Sequence, residues 1–333
     1  MNTNTNLRRL SAMVTTRPGR TAGFTLIEMM ISITIGLGIL AGLVGVLATN
    51  SSNSRANERT SELLTNGRYA LNSMKQELRE AGFRGYTWAL PSAPGALVVT
   101  GCAEAAGGTV AAFVANIRQG VWGADDTNPF GDAAVGNCIP DANYSAGNDV
   151  LVVRRLAVIP TTALAAGTVY FHSSYEQGQV FQGVTAPTFG GPPTPLASFA
   201  MQIYVYYISP FTQNATESPL VPALYRVALR PDGSMQRELV ASGIERLQVQ
   251  YGQLTTAPTT QYVDSLAGDS HATDVTDWEQ VNSVRIWLLA RNATPEPGYV
   301  PLPVPAMGSV AGYTPPNDGF RRQLFTTVVQ LRN

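Results

Sequence analysis

The chain has 333 residues, 14% of them charged, and a formal net charge of −1. So even a balance gives no bulk electrostatic case for nucleic acid as a partner. Two histidines are too few for a His-rich metal site, and neither a G-x-x-x-x-G-K-[ST] phosphate loop nor a G-x-S-x-G nucleophile turn occurs.

Residues 1–23 carry Arg8, Arg9, Arg17 and Arg20 and no acid. From Phe24 to Ala48 there follow 25 residues with one charge, Glu28. At about 1.5 Å per residue this run spans roughly 37 Å, enough for a bilayer core of about 30 Å. The basic flank predicts that the N-terminus stays in the cytoplasm and the rest of the chain crosses the membrane. An ordinary secretory signal is cut after its apolar core; here the small residue, Gly23, stands before it. A carboxylate inside the bilayer costs about 2.5–3.5 kcal/mol on insertion scales, so Glu28 is expected to have a partner or a task. Without residues 1–23 the remainder carries −5, because four of the 22 basic residues and none of the 23 acids lie in that stretch.

Beyond Ala48 the sequence turns polar but stays helical in period. Leu64, Leu71 and Leu78 recur every seven residues, with Gly67, Met74 and Ala81 between them, which predicts one apolar stripe. No proline occurs from Phe24 to Trp88, and Gly82 and Gly85 mark a stop. One helix is expected from about Phe24 to Ala81. Gly36, Gly38, Gly42 and Gly45 each weaken it by about 1 kcal/mol relative to alanine. Gly38 and Gly42 also form a G-x-x-x-G pair suited to close helix packing.

Residues 91–147 are rich in Ala, Gly and small polar residues, with strand-like pieces at Ala96–Thr100 and Val110–Val114. Cys102 and Cys138 fall here, on the translocated side, where a disulfide is favoured. The alternative is a pair of free or metal-binding thiols, and further zinc ligands are missing. Strands are then expected at Asp149–Leu156, Val169–His172, Met201–Ile208, Leu224–Leu229, Met235–Val240, Leu247–Tyr251, Val284–Leu289 and Gln323–Leu331. Pro231-Asp232-Gly233 marks a hairpin turn. Strands joined by turns without helices between them argue an antiparallel sheet. The expected class is α+β, a long N-terminal helix packed on that sheet with a loop-rich insertion. Tyr204, Tyr206, Tyr207, Tyr225 and Tyr251 are expected to pack on sheet faces, and His172 to be a hydrogen-bonded structural histidine. Asp264, Asp269, Asp274 and Asp277, with Glu279, form a weak calcium candidate. Their spacing fits no dense ligand motif, so a solvated loop is the main expectation and no cofactor is required.

Gly23-Phe24-Thr25-Leu26-Ile27-Glu28 behind a basic leader resembles the prepilin signal of type IV pilins and pseudopilins. Asn66–Leu71, Glu77–Gly85, Gly243–Gly252, Val281–Leu289 and Arg321–Asn333 look like the PilW family of minor pilins. The resemblance implies a leader at 1–23, cut after Gly23 by a prepilin peptidase, and methylation of Phe24. It implies an assembly half of the helix at 24–48, an amphipathic half at 49–85, and a periplasmic domain at 86–333. Within that domain 86–200 is the variable part and 201–333 holds the PilW-like strands. Glu28 would pair with the N-terminal amine of a neighbouring subunit. The implied function is a non-enzymatic minor pilin that helps to start type IV pilus assembly for adhesion, twitching motility or DNA uptake. Its implied partners are other minor pilins, the major pilin and a tip adhesin. The alternatives are a J-like minor pseudopilin of type II secretion and a tip-exposed ligand-binding module; a tethered enzyme is the remotest.

Overall fold

The computed structural model describes residues 23–103, 108–133, 136–190, 195–254, 260–266 and 278–331. The chain divides into two compact units, Met1–Arg55 and Ala56–Asn333. Helix α1 runs Leu26–Arg79, within two residues of the span expected at each end. In the first unit its side chains are exposed on every face, and it is long and apolar enough to cross a membrane.

In the second unit α1 buries Leu63, Gly67, Ala70, Met74 and Leu78, with Leu64 and Leu71 only partly covered at its margin. Gly67, Met74, Leu78 and Ala81 are thus buried as expected, while Leu63 and Ala70 take the inward places expected of Leu64 and Leu71. A spacing of four, three, four and four follows the 3.6-residue period of a straight helix, whereas a strict seven drifts around it. Gly67 is on the stripe because Phe325 lies across it; a Cβ there would stand 2.2 Å from the ring.

Eleven strands are described: β1 (Val121–Ala124), β2 (Val150–Leu156), β3 (Val169–Ser173), β4 (Gly178–Gln182), β5 (Ala197–Ser209), β6 (Ala223–Leu229), β7 (Met235–Ser242), β8 (Ile244–Leu254), β9 (Thr260–Val263), β10 (Val281–Arg291) and β11 (Arg322–Gln330). Pairing between strands is antiparallel, as expected, but the strands divide into two sheets. One has seven strands along β1-β2-β5-β3-β4, with β6 on β5 and β7 on β6; the other has four, ordered β11-β10-β8-β9. Both contribute to one apolar core with the α1 stripe: Val152, Val205, Tyr207, Val249, Ile286 and Leu288 are fully buried or nearly so. The β6–β7 turn forms where expected. Gly233 takes φ +82° and Asp232 Oδ1 accepts from the Ser234 N–H at 2.9 Å.

Two strand expectations give way. Val110–Ala115 is a short helix, α2, because Thr109 caps it: its Oγ1 accepts from the Ala112 N–H at 3.1 Å. Ala96–Thr100 forms no strand, and among the described residues it joins a neighbour only by a bridge from Thr100 to Ser234. The long loop between β10 and β11 is pinned by Arg322, whose side chain is 5% exposed. It donates to Glu245 at 2.6 and 3.1 Å and to Asp318 at 2.7 and 3.0 Å, a double fork that lysine could not make.

Candidate functional site

The N-terminal residues singled out above meet at the start of α1. Thr25 is the residue before the helix, and Glu28 closes its first turn. The Thr25 N–H donates to Glu28 Oε2 at 2.9 Å and the Thr25 hydroxyl to the same oxygen at 2.8 Å. In return the Glu28 N–H donates to Thr25 Oγ1 at 3.3 Å. This reciprocal capping box satisfies helix-end donors that an apolar medium would leave stranded. The sequence carries this signal, a Thr three residues before a Glu, but Thr25 is read above only as part of the prepilin-like motif and not as the cap of Glu28.

Gly23 and Phe24 are exposed, and a Cβ on Gly23 would meet nothing within 4 Å. Among the described residues, packing thus gives no reason for a glycine there. Gly36, Gly38, Gly42 and Gly45 are equally open. Hydroxyls along this apolar stretch are satisfied within the helix. Ser32 Oγ donates to the Glu28 carbonyl at 2.7 Å, Thr34 Oγ1 to that of Ile31 at 2.8 Å and Thr49 Oγ1 to that of Gly45 at 3.0 Å.

Farther along, α1 is tied to the seven-stranded sheet by a ladder of charges. Arg155 on β2 meets Glu77 at 2.5 Å and Glu80 at 2.6 Å. Arg226 on β6 reaches Glu77 at 4.0 Å and Glu238 on β7 at 2.7 Å, and Arg230 closes on Glu238. The Arg226 guanidinium carbon lies 4.5 Å from the Tyr204 ring centroid, a cation–π contact beneath the ladder.

Cys102 and Cys138 form the expected disulfide, with Cys102 fully buried in the core. Tyr206, Tyr207, Tyr225 and Tyr251 are buried in the sheets, and Tyr204 is half-buried. His172 is buried, its Nδ1 2.8 Å from Ser198 Oγ, and burial holds its pKa below the usual value.

Of the calcium candidates, Asp264 accepts from Gln250 Nε2 at 2.8 Å; Asp269, Asp274 and Asp277 lie outside the described residues. Glu279 pairs with Arg118 at 2.5 Å. Among the described residues a different acidic group gathers: Asp125, Asp126 and Asp149 bring carboxylate oxygens within 4.8 Å of one another. Asp149 Oδ1 accepts from the Asp126 N–H at 3.1 Å and its Oδ2 from the Val249 N–H at 2.6 Å. Burial pushes its carboxyl up to about 8, with Asp125 and Asp126 adding to the rise against those two donors. Asp149 thus joins the start of β2 to β8 and to Asp126 through its two acceptor oxygens. The Asp-Asp doublet and the acid opening β2 were visible in sequence, but their meeting is a product of the fold.

Residues 19–44 match the prokaryotic N-terminal methylation motif, and residues 205–333 match the family described as Type IV Pilus-assembly protein W. No curated relative matches the chain. A type IV-like pilin from Thermus thermophilus is a structural neighbour at 14% identity and a TM-score of 0.34, covering 83% of this chain and 97% of its own.

Proposed function

We propose that this chain, which joins a prepilin-type methylation motif to a PilW region, is a minor pilin that takes part in starting type IV pilus assembly. The observation that carries the reading is the presence of both matches on one chain, at 19–44 and 205–333. The apolar part of α1 anchors the chain in the inner membrane, with the sheets on the periplasmic side. Prepilin peptidase cuts after Gly23, where the open backbone suits a site that must approach it closely, and Phe24 is methylated. The exposed apolar face and the four open glycines then pack on helices of neighbouring pilins. The subunit acts structurally, without catalysis or a cofactor. The pilus, and with it adhesion, twitching or DNA uptake, is favoured over a type II secretion pseudopilus by the PilW match.

Glu28 separates assembly from insertion. We propose that its carboxylate meets the cleaved N-terminal amine of a neighbouring subunit; opposite charges attract more strongly in a low-dielectric helix core, though desolvation offsets much of the gain. Glu28→Ala should insert and mature normally yet fall in the sheared pilus fraction, or lower pilus number. Glu28→Gln keeps an acceptor for Thr25 but removes the charge. Loss in both variants supports charge pairing. Rescue by Gln assigns Glu28 to the cap alone, and equal piliation in all three removes it from assembly.

A further inference from the structure

A sheet edge exposes a row of unpaired N–H and C=O groups, and soluble proteins blunt such edges with charge, proline, bulges, shortness or cover. Four of the edges described here are treated in one of these ways. β1 and β9 have four residues each. β4 is covered by the passing chain, with Ser92 N–H donating to Gly178 O at 2.8 Å and Gly95 N–H to Val180 O at 2.9 Å. β7 carries Arg237 and Glu238. β11 differs. Its nine residues pair with β10 throughout, without a bulge. Its last five, Thr326-Thr327-Val328-Val329-Gln330, are uncharged and rich in β-branched residues.

The register shows which groups are free. Leu331 N–H donates to Asn282 O, and Asn292 N–H to Arg321 O, so the odd-numbered residues of β11 exchange hydrogen bonds with β10. The main-chain groups of Leu324, Thr326, Val328 and Gln330 point outward. A glutamine side chain reaches the first carbonyl, Gln323 Nε2 to Leu324 O at 3.2 Å. Among the described residues nothing pairs with the outward groups of Thr326, Val328 and Gln330. Thr326 and Gln330 are exposed, and Val328 is 50% exposed.

The α1 side of this edge is cationic. Lys75, Arg79 and residues 328–331 line a groove of about 380 Å³, and the same two cations border a second groove of about 600 Å³ with Asn72, Gln76, Phe83 and Val158. The acid in that second groove, Glu80, is committed to Arg155 at 2.6 Å. Lys75 and Arg79 have no ion-pair partner among the described residues. A strand laid against β11 would alternate its side chains. One set would fall on the α1 side beside Lys75 and Arg79, and the other beside Val328 and Thr326.

We propose that the outer edge of Thr326–Gln330, with Lys75 and Arg79, receives an extended strand from a partner protein, carrying carboxylates on the α1 side and β-branched side chains on the other. Main-chain pairing supplies the attachment, and the two cations select the partner and its register.

The inference does not depend on the pilus reading, because the test addresses the edge alone. The probe is fluorescein-labelled Glu-Val-Glu-Thr-Glu-Val-Glu-Thr, capped at its C-terminus, titrated into the full-length chain in detergent and followed by anisotropy. Controls are the same peptide with Lys for Glu and one N-methylated at alternate residues. The glutamate peptide should bind at least tenfold more tightly than the lysine peptide, and Lys75→Glu/Arg79→Glu should reverse that order. Hydrogen exchange should show new protection at the Thr326, Val328 and Gln330 amides. N-methylation on the pairing residues should abolish binding, as should Val328→Pro, which removes an outward N–H that the sheet does not use. Should Val328→Pro fail to fold, the exchange pattern and the N-methylated peptide still decide. No binding at millimolar peptide, equal binding of the N-methylated probe, or protection elsewhere would overturn the proposal. Protection of these amides without peptide, rising with protein concentration, would also overturn it, by showing a second copy on the edge.

Discussion

Gly67→Ala tests the packing of α1 on the four-stranded sheet. In isolation the change favours the helix by about 1 kcal/mol. In the fold the new methyl would stand 2.2 Å from Phe325 Cε2 and 2.6 Å from Cζ, far inside contact distance. Either the ring leaves its rotamer or the helix lifts from β11, and overpacking of this kind costs about 1–3 kcal/mol. A contact so short places the cost at the upper end, so the net loss should be about 2 kcal/mol. For a unit of this size that lowers the midpoint by about 4 °C or more. Thermal unfolding of the full-length protein in detergent can be followed by tryptophan fluorescence, since Trp122 and Trp278 are buried in the core. Phe325→Leu leaves room for the methyl, so Gly67→Ala/Phe325→Leu should lose less than the two single changes together, by about 1 kcal/mol or more. Stabilisation by Gly67→Ala alone, or strict additivity in the double variant, would refute the stated packing.

Three other outcomes follow from the geometry. Cys102 and Cys138 should resist thiol labelling in exported protein, and Cys102→Ser/Cys138→Ser should lose up to about 4 kcal/mol on the chain-entropy account of a 36-residue separation; labelling of both native cysteines under denaturing, non-reducing conditions would contradict this. Asp149 binds a proton more tightly folded than unfolded, with a folded value of about 8 against 3.8. Its contribution to stability is therefore present at low pH and is lost as pH rises towards 8, by at most about 1.4 kcal/mol per unit. Asp126→Asn should move the upper end of that decline to lower pH, and urea titrations at pH 5, 6, 7 and 8 would show an unchanged slope if Asp149 were not the group responsible.

The helix was legible from the chain almost to the residue, because length, apolar content and the missing proline agree on it. Its buried face was legible in part: Gly67, Met74, Leu78 and Ala81 lie inside as expected, while Leu63 and Ala70 stand where Leu64 and Leu71 were expected. Strands with strong β-branched runs, such as Val150–Leu156, were visible. β1, β4 and β9 were not, being short and defined by partners distant in sequence. Val110–Ala115 misled because a valine-flanked apolar run suits either state, and the capping Thr109 decided it. At the N-terminus, Gly23 and Glu28 stood out by type and place, while the capping role of Thr25 emerged only in the fold. The acidic group of Asp125, Asp126 and Asp149 depends on β2 and β8 lying together, which no local pattern reports.

The mass of the N-terminal peptide tests most directly whether this chain is a processed pilin subunit, as proposed. Protein recovered from sheared pili should begin at Phe24, carrying one N-methyl group, with the apolar residues to Ala48 still attached. A chain from the same fraction that begins at Met1, or one cut beyond the apolar stretch, would contradict it.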